Sequence, residues 1–428
     1  MKTNVKTPAV YQPTAEAELR RAVLATLLWE DQFYENGKLI SERIVELASK
    51  VSPEKLAQIA EEARNQHHLR HAPLFLAVQL VKHGSGKQGL VADTIDKVVQ
   101  RADELAELVS LYWLKGKRPL SSQMKKGLAK AFTKFSPYSL AKYNRDGAVK
   151  LRDVLFLVHP KAKDAEQQRV FDKLASNTLE SPDTWEVGLS AGGNKKETFE
   201  RLIRENKLGY MALLRNLRNM VEAGVDRTLV REAILARRGA ERVLPFRYIA
   251  AARAAPSYEA ALDTALLASI GELPRLEGRT VVLVDVSGSM DVQLSGKSDL
   301  TRMDAACTLA SVLNCEDLRV FSFSNRLVEV PARKGMAGVQ AIKQSQVHSS
   351  TALADAVAQV NAMKDVDRLI VITDEQATDG RVPTPSAKKA YMINVASYQK
   401  GVESARWQRI NGFSENVIRW IYETEKLV

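Results

Sequence analysis

The chain has 428 residues, which exceeds a single hydrophobic core and predicts two or three domains. Hydrophobic residues make up 45% and charged residues 26% of the chain, values typical of soluble globular proteins. No apolar run approaches the ~20 residues that span a bilayer, and the N-terminal residues lack the apolar core of a signal peptide. The sequence contains only two cysteines, Cys307 and Cys315, which excludes a disulfide framework and favours a reducing cytoplasm.

The net charge of +11 is distributed unevenly along the chain. Residues 1–275 contain 44 Lys and Arg against 33 Asp and Glu, so the whole positive excess lies there. Residues 276–428 are neutral overall. Such a division predicts two domains with different partners, one at 1–275 and one at 276–428.

Residues 1–275 show helical periodicity and no convincing strand alternation. The first predicted helix has one apolar face, formed by Leu19, Ala22, Val23, Thr26 and Leu27. Ser-Pro pairs at 52–53 and 181–182 predict two further helix starts. Residues 210–224 predict another helix, which carries Arg215 and Arg218 one turn apart and ends at Gly224. A long run of helices suggests roughly six or seven HEAT-like units of ~40–47 residues, although no repeated motif fixes the period.

The pattern changes at residue 276. Four short β-rich runs at 279–287, 318–324, 368–374 and 390–396 alternate with helical stretches at 301–314 and 351–363. Alternating strands and helices predict a parallel sheet covered on both faces, as in doubly wound, Rossmann-like α/β domains. Residues 271–279 are the predicted linker between the two domains.

Polar side chains follow two of the predicted strands at the points where they end. In an open α/β sheet, ligands bind beyond the carboxyl ends of the strands. Carboxylate and hydroxyl oxygens there suit a hard divalent cation, Mg²⁺ above all. The alternative is a Ser/Gly loop with a capping Asp. The five candidate ligands are Asp285, Ser287, Ser289, Thr351 and Asp374.

The five candidate ligands resemble, in type and order, the metal-ion-dependent adhesion site of the von Willebrand factor A domain. The resemblance implies Mg²⁺ held directly or through water, with one position left for the carboxylate of an acidic ligand. In that family two glycines usually precede the Thr, whereas Ser349 and Ser350 stand there in this sequence. The difference bears on metal affinity more than on the fold.

Residues 101–150 combine positive charge with aromatic side chains. The segment holds 11 basic and 4 acidic residues. Lys and Arg neutralise phosphates and exposed rings stack on unpaired bases, so the segment predicts RNA binding. The alternative is a solvated basic face above core aromatics, and most of the rings are expected to be core. The aromatic residues are Tyr112, Trp113, Phe132, Phe135, Tyr138 and Tyr143.

Four segments resemble the Ro autoantigen family, including its bacterial relatives, in which a TROVE module precedes an A domain. They are KYNRDGAVKLRDVLFLVHPK (142–161), MALLRNLRNM (211–220), LPFRYIAAARA (244–254) and NGFSENVIRWI (411–421). The resemblance extends over essentially the whole chain, with the domains in the same order. It implies a HEAT-like α-helical ring at 1–275 closed by an A domain at 276–428.

The same resemblance implies a role in RNA metabolism. Family members bind single-stranded ends of misfolded RNA and small Y-type RNAs, and bacterial relatives act in RNA quality control and processing with exoribonucleases. The family is not known for catalysis, so we expect a binding protein and not an enzyme. We also expect the protein to be monomeric and cytoplasmic. Its 142–161 segment usually has a His two residues before the Asp, where this chain has Leu151, while the later His159 is kept.

These arguments together give a set of candidate RNA-binding residues. Most of them lie in the basic segment or in the 142–161 segment, and two lie in the 211–220 segment. The candidates are Lys117, Arg118, Lys125, Lys126, Lys142, Arg145, Lys150, Arg152, His159, Arg215 and Arg218.

Two other functions are compatible with an A domain. One is a metal-dependent protein-adhesion module with the helices as scaffold, and the other is an accessory subunit of an ATP-driven metal chelatase. The chelatase hypothesis predicts an acidic or Pro-rich linker, which the sequence lacks. HHLRH at 67–71 has no evident third zinc ligand, and GSGKQG at 84–89 lacks the spacing of a phosphate loop. Ser287 has no evident His and acid partners, so we do not expect it to be a nucleophile.

Overall fold

The structure is a computed structural model that describes residues 14–25, 37–83, 89–180, 182–190, 193–294, 300–395, 406–411 and 416–426. In these ranges, helices precede residue 272 and a six-stranded sheet follows. The predicted fold class, a helical module followed by a doubly wound α/β domain, is confirmed. None of the described helices is long and apolar enough to cross a membrane.

The helices before Gly209 occupy most of the first half of the chain. They are α1 (Ala15–Ala25), α2 (Gly37–Ser49), α3 (Pro53–Asn65), α4 (His71–His83), α5 (Leu90–Val98), α6 (Asp103–Tyr112), α7 (Ser122–Phe132), α8 (Pro137–Tyr143), α9 (Leu151–Val158), α10 (Ala165–Ala175), α11 (Trp185–Ser190) and α12 (Lys195–Arg204). Five more helices lead to the sheet: α13 (Tyr210–Arg215), α14 (Leu217–Glu222), α15 (Arg227–Ala236), α16 (Phe246–Ala254) and α17 (Glu259–Gly271).

The described α/β region combines six strands with four helices. The strands are β1 (Leu276–Asp285), β2 (Cys315–Phe323), β3 (Leu327–Val330), β4 (Arg368–Thr373), β5 (Lys389–Asn394) and β6 (Gln408–Asn411). The helices are α18 (Arg302–Val312), α19 (Gly335–Lys343), α20 (Leu353–Asn361) and α21 (Asn416–Lys426). Strands β3 and β6 and helix α19 were not predicted.

The chain forms two compact units. The boundary between them lies at Gly209, whereas the sequence predicts a domain boundary at 275/276. The N-terminal unit contains Ala15–Val23 and Glu42–Leu208, and the C-terminal unit is built around Gly209–Val428. Helices α13–α17 therefore share a unit with the sheet. The predicted boundary at 275/276 coincides with the start of β1 at Leu276, and it remains a prediction.

Helix starts in the N-terminal unit follow capping side chains. Helix α3 begins at Pro53 as predicted, with the Ser52 hydroxyl accepting a hydrogen bond from the amide of Lys55 at 3.4 Å. The second Ser-Pro prediction is wrong in position, since α11 begins only at Trp185. There the Thr184 hydroxyl accepts from the amide of Val187 at 3.3 Å and acts as the cap. Ser181 lies outside the described residues.

The predicted helix at 210–224 is interrupted at Asn216. Its backbone leaves helical geometry (ψ 7°) between α13 and α14. The buried Asn216 side chain donates to the carbonyl of Ala212 at 2.8 Å, a contact that competes with regular helix geometry. Gly224 follows α14 with φ +67°, the left-handed conformation of a helix stop.

The sheet has the strand order β3-β2-β1-β4-β5-β6. Strands β2, β1, β4, β5 and β6 run parallel as predicted, but the edge strand β3 pairs antiparallel with β2. Strand order reverses at β1, which has β2 on one side and β4 on the other, so a crevice opens at their carboxyl ends. The connection before the sheet is shorter than predicted, because α17 runs to Gly271 and β1 begins at Leu276.

Helices cover both faces of the sheet. On one face, α20 contributes Leu353 and Val357 to an apolar cluster with Val281 and Leu283 of β1. On the other face, Trp420 of α21 makes an edge-on contact with Tyr391 of β5, with ring centroids 6.1 Å apart. Burial of the central strands on both faces explains their uninterrupted apolar sequence.

A buried carboxylate joins the helical part of the C-terminal unit to its sheet region. Asp304 of α18 is fully buried and forms ion pairs with Arg253 of α16 and with Lys343 of α19, the latter at 3.0 Å. It also accepts hydrogen bonds from the amide and hydroxyl of Thr301. These partners lower the pKa of Asp304 to about 2. Helix α16 is thereby fixed to the α/β region.

Replacing Asp304 by Asn is expected to lower the free energy of unfolding at neutral pH by about 2 kcal/mol, since one unit of pKa shift corresponds to ~1.4 kcal/mol. Because folding depresses the pKa, this stabilisation is complete above the unfolded value of 3.8 and is lost as the pH falls through about 2. Urea denaturation of both proteins across this pH range measures the difference. The control Asp317→Asn, which breaks the exposed pair with Arg279, should change little. Equal stability of wild type and Asp304→Asn at pH 7 would contradict the prediction.

Candidate metal centre and basic surface

Strand β1 carries the first candidate ligand into the crevice. Asp285 is its last residue and is fully buried. One carboxylate oxygen accepts from the amide of Ser287 at 2.9 Å, and the other accepts from the hydroxyl of Thr373 at 2.6 Å. Thr373 ends β4, the next strand of the sheet. The carboxylate is therefore held in a fixed orientation between two strand ends.

The loop after β1 places two hydroxyls beside this carboxylate. A short 3₁₀ turn, Gly288–Met290, follows Ser287. The hydroxyl oxygens of Ser287 and Ser289 lie 3.1 Å apart, and Ser287 is fully buried. This spacing allows both oxygens to face one small cation.

The second loop, before α20, brings Thr351 to the same edge of the sheet. Thr351 is 3% exposed. The amide of Gly288 donates to the carbonyl of Ser349 at 3.1 Å, which joins the first and second loops. The buried Ser324 at the end of β2 accepts from the amide of Ser349 at 2.8 Å and donates to the carbonyl of Ser350 at 3.0 Å. Ser324 thus fixes the loop in which Ser349 and Ser350 replace the two glycines of the A-domain pattern.

The third loop follows β4 and contains Asp374. The Thr378 hydroxyl and amide both donate to the carbonyl of Thr351, at 3.1 and 3.0 Å, so the second and third loops are joined. Asp374 is fully buried, and one of its oxygens accepts from the amide of Gln376 at 3.2 Å. Its other oxygen, Oδ2, accepts no hydrogen bond among the described residues. The structure thus brings together the three loops that carry the five candidate ligands.

The electrostatics of the crevice fit a cation. Burial, together with the charge of the nearby Asp374, raises the pKa of Asp285 to about 6, even though hydrogen bonds from Ser287 and Thr373 lower it. Two buried carboxylates and two adjacent hydroxyls form a donor set suited to Mg²⁺, and Oδ2 of Asp374 accepts no hydrogen bond among the described residues. The assignment of these side chains as metal ligands remains a prediction.

Sequence reasoning missed a buried cation at this site. Arg302, the first residue of α18, is 2% exposed. Its Nη1 atom donates to the carbonyl of Ser289 at 3.4 Å and lies 3.8 Å from Oδ2 of Asp374. No sequence motif predicts this contact, because it joins the start of a helix to two loops distant in sequence.

The candidate RNA-binding residues are distributed over both units. Those from Lys117 to His159 lie in the N-terminal unit, whereas Arg215 and Arg218 lie in the C-terminal unit. All are exposed except Lys142, which is half-buried. Their exposure is compatible with phosphate contacts, but nothing in the structure tests the role of any one of them.

Several of these cations lie over aromatic rings. The Arg118 guanidinium is 4.1 Å from the centroid of Tyr112, and the Lys117 ammonium is 5.6 Å from that of Trp113. Further along the chain, Lys142 lies 5.9 Å from the ring of Tyr138, which is 47% exposed. Of these three rings only that of Tyr138 is exposed, and a cation beside an exposed ring is typical of surfaces on which bases stack.

Half of the six rings of the basic segment belong to the core. Tyr112, Phe132 and Phe135 are buried, whereas Trp113 and Tyr143 are half-buried and Tyr138 is exposed, so the expectation that most of these rings are core holds for three of them. Phe156 on α9, which the sequence reasoning did not single out, is 51% exposed and lies 5.6 Å from the guanidinium of Arg152. Phe156 is therefore an exposed aromatic ring on α9, adjacent to a cation.

Helix α9 has Leu151 at its start and His159 directly after its end, the two positions at which the 142–161 segment was compared with the Ro family. Leu151 is 1% exposed at the start of the helix, so the position at which the family has His is part of the core here. His159 is exposed and ends the helix in a left-handed conformation, with φ +47°. Of the two positions, only that of His159 is exposed to solvent.

Two of the motifs that sequence reasoning set aside, HHLRH and the cysteine pair, lie within the described residues. His67 is buried, and Glu107 contacts the Nδ1 atom of His71. Among the described residues, no group of three or more His, Cys, Asp or Glu could hold a metal. Cys307 and Cys315 are both free thiols, and burial raises the pKa of each. Most of the GSGKQG segment lies outside the described residues.

Comparisons with known proteins agree with this architecture. The TROVE domain family model matches residues 175–268, which include the 211–220 and 244–254 segments. Telomerase protein component 1 of Mus musculus is 39% identical over 90 residues, 20% of this chain and 3% of that protein. The protein of the same name from Rattus norvegicus is 46% identical over 48 residues, 11% of this chain and 2% of its own length. The chain thus matches only a small part of these relatives.

The crystal structure of the Ro (RSR) protein of Deinococcus radiodurans has a similar fold along the whole chain. The TM-score is 0.67 at 16% sequence identity, and the match covers 96% of this chain and 99% of the Deinococcus chain. A helical module followed by a doubly wound α/β domain with a polar crevice is therefore the class to which this protein belongs. More particularly, residues 175–268 are similar to the TROVE domain, and the fold of the chain is similar to that of the Deinococcus Ro (RSR) protein.

Proposed function

We propose that this protein binds RNA and has no catalytic role of its own. The observation that carries the proposal is the exposed basic surface of the N-terminal unit, where Lys117, Arg118 and Lys142 lie over aromatic rings. Cations neutralise phosphates while accessible rings such as Tyr138 offer stacking to unpaired bases. The TROVE match and the Ro-like fold support the same function.

The proposed substrates are structured RNAs with unpaired ends. Base stacking requires bases that are not already paired, so single-stranded ends of misfolded RNA are preferred over closed duplex. We also propose that the protein binds small Y-type RNA and presents RNA to exoribonucleases in quality control and processing in the cytoplasm. His159 and Arg152, both exposed on or next to α9, are candidates for the contact with structured RNA.

We further propose that the crevice at the carboxyl ends of β1 and β4 binds Mg²⁺ through the five candidate ligands. When bound, the ion supplies a Lewis-acidic position for the carboxylate of an acidic ligand. The protein-adhesion hypothesis assigns its ligand to this same crevice. That hypothesis is favoured over RNA binding if the purified protein carries no RNA and binds none.

A hairpin with a single-stranded tail is expected to bind more tightly than the same hairpin made blunt. Affinity should fall steeply with salt, because each neutralised phosphate releases counterions. Six to ten phosphate contacts would cost on the order of 10³–10⁵ in duplex affinity between 50 and 200 mM salt, and less for single strands. Fluorescence anisotropy with both RNAs across this salt range measures the effect.

The isolated tail, as a single strand of the same sequence, is the control for end recognition. A flat salt response, or equal affinity for tailed and blunt hairpins, would contradict the proposal. Binding of an acidic protein ligand in Mg²⁺ but not in EDTA, with no RNA bound, would favour the adhesion module.

A further inference from the structure

Arg302 occupies a position that is unfavourable for a cation. A guanidinium remains protonated, so its burial at 2% exposure carries a large desolvation cost unless an anion compensates it. It is also the first residue of the eleven-residue helix α18, where the positive end of the helix dipole disfavours a further positive charge. The compensating anion must therefore lie close by.

The contacts of Arg302 lead to the metal crevice. Its Nη1 atom is 3.8 Å from Oδ2 of Asp374, and it donates to the carbonyl of Ser289 at 3.4 Å. Its own amide donates to the carbonyl of Val292 at 2.9 Å, which fixes the start of α18 against the loop after β1. Arg302 thus contacts the first and third loops at the backbone or side chain of candidate metal ligands.

The nearby charged groups have other partners. Asp304 is neutralised by Arg253 and Lys343. The carboxylate of Glu375 accepts from the neutral side chain of Asn394 at the end of β5, at 3.3 Å. Among the candidate metal ligands, the charged groups are the carboxylates of Asp285 and Asp374, and Arg302 adds one positive charge beside them.

We propose that Arg302 acts as a resident counter-charge that stabilises the metal-free crevice and weakens its affinity for Mg²⁺. The inference rests on the proposed metal site. Asp285, Asp374 and Arg302 together carry one negative charge before a divalent ion binds and one positive charge afterwards. Without Arg302, the two carboxylates carry two negative charges before the ion binds, and the ion neutralises them.

Two consequences follow from this charge balance. The ion gains less attraction from the crevice, because a fixed cation already offsets part of the negative charge. Arg302 makes the loaded crevice more positive by one charge, so it favours an anionic ligand over a neutral one. Arg302 would thereby make the metal site reversible and selective for acidic partners.

Replacing Arg302 by Gln in the full chain is expected to destabilise the metal-free protein and to strengthen Mg²⁺ binding. In EDTA, the melting temperature should fall, because two buried carboxylates lose their counter-charge. In Mg²⁺, the dissociation constant should decrease by about tenfold or more, since a repulsive charge is removed. Isothermal titration with MgCl₂ and thermal melting, with and without Mg²⁺, give both quantities.

Three variants separate this role from simple packing. Arg302→Lys keeps the charge and should bind Mg²⁺ with an affinity close to that of the wild type. Arg381→Gln removes one charge from an exposed position after Asp374 and should change neither quantity. Asp285→Asn with Arg302→Gln should bind no Mg²⁺, which assigns any gain in affinity to the crevice.

Each outcome decides the inference. Tighter Mg²⁺ binding by Arg302→Gln, or folding of this variant only in Mg²⁺, supports it. An Mg²⁺ affinity equal to that of wild type overturns it and leaves the metal site standing. Absence of Mg²⁺ binding in wild type and in Arg302→Gln overturns the metal site and the inference together.

Discussion

Replacing Lys117, Arg118, Lys125 and Lys126 by Glu is expected to reduce RNA affinity on the order of 10²–10³-fold at physiological salt. All four side chains are exposed, and two of them lie over aromatic rings. Each replaced cation loses a phosphate contact and adds repulsion. The slope of log affinity against log salt should therefore become shallower by about three for single-stranded RNA. Anisotropy titrations with the tailed hairpin at several salt concentrations measure both effects.

A charge-matched variant provides the control. Lys55, Arg169, Lys195 and Lys196 are also exposed in the N-terminal unit, but lie on α3, α10 and α12. Their replacement by Glu changes the net charge by the same amount and should weaken binding far less. Equal losses in the two variants would show that RNA responds only to total charge. An unchanged affinity in the first variant would exclude this surface as the binding site.

Asp285→Asn is expected to abolish Mg²⁺ binding, because it removes the only charged candidate ligand of the first loop. The variant should fold, since Asn has nearly the same shape and the apolar run of β1 is unchanged. RNA affinity should change little if RNA binds the N-terminal unit. Titration calorimetry with MgCl₂ and anisotropy with the tailed hairpin measure the two properties separately.

Asp291→Asn is the matched control for this variant, since Asp291 is exposed in the same loop. It should retain the Mg²⁺ affinity of the wild type. Undiminished Mg²⁺ binding by Asp285→Asn would remove the crevice as the metal site. Parallel loss of Mg²⁺ and RNA binding would contradict the assignment of the two ligands to different regions of the chain.

The features predicted correctly from the sequence are those with local causes. Ser52 before Pro53 determines a helix start through one nearby hydrogen bond. The apolar run ending at Asp285 determines a buried central strand whose carboxylate lies at the sheet edge. The order of the helical and the α/β region follows from a change in hydrophobic period, which needs no knowledge of tertiary contacts.

The features missed or misplaced depend on contacts distant in sequence. Strand β3 is four residues long and exists because it pairs with the edge of β2. The late start of α11 reflects Asp183, which binds Arg201 with distances of 2.8 and 2.9 Å and remains outside the helix. Arg302 and Asp374 are 72 positions apart in the sequence, and only the folded sheet brings them together.

The ion pairs of Asp304 constrain how this protein can be rearranged in evolution. A recombination event at the start of β1 would separate Asp304 from Arg253. It would also break the hydrogen bond of 2.9 Å that the amide of Met336 donates to the carboxylate of Asp263 on α17. An α/β region transferred in this way would contain the buried carboxylate of Asp304 without one of its two cationic partners. Recombination near Gly209 would keep these contacts intact. We therefore expect that helices α13–α17 and the sheet are inherited together as one unit.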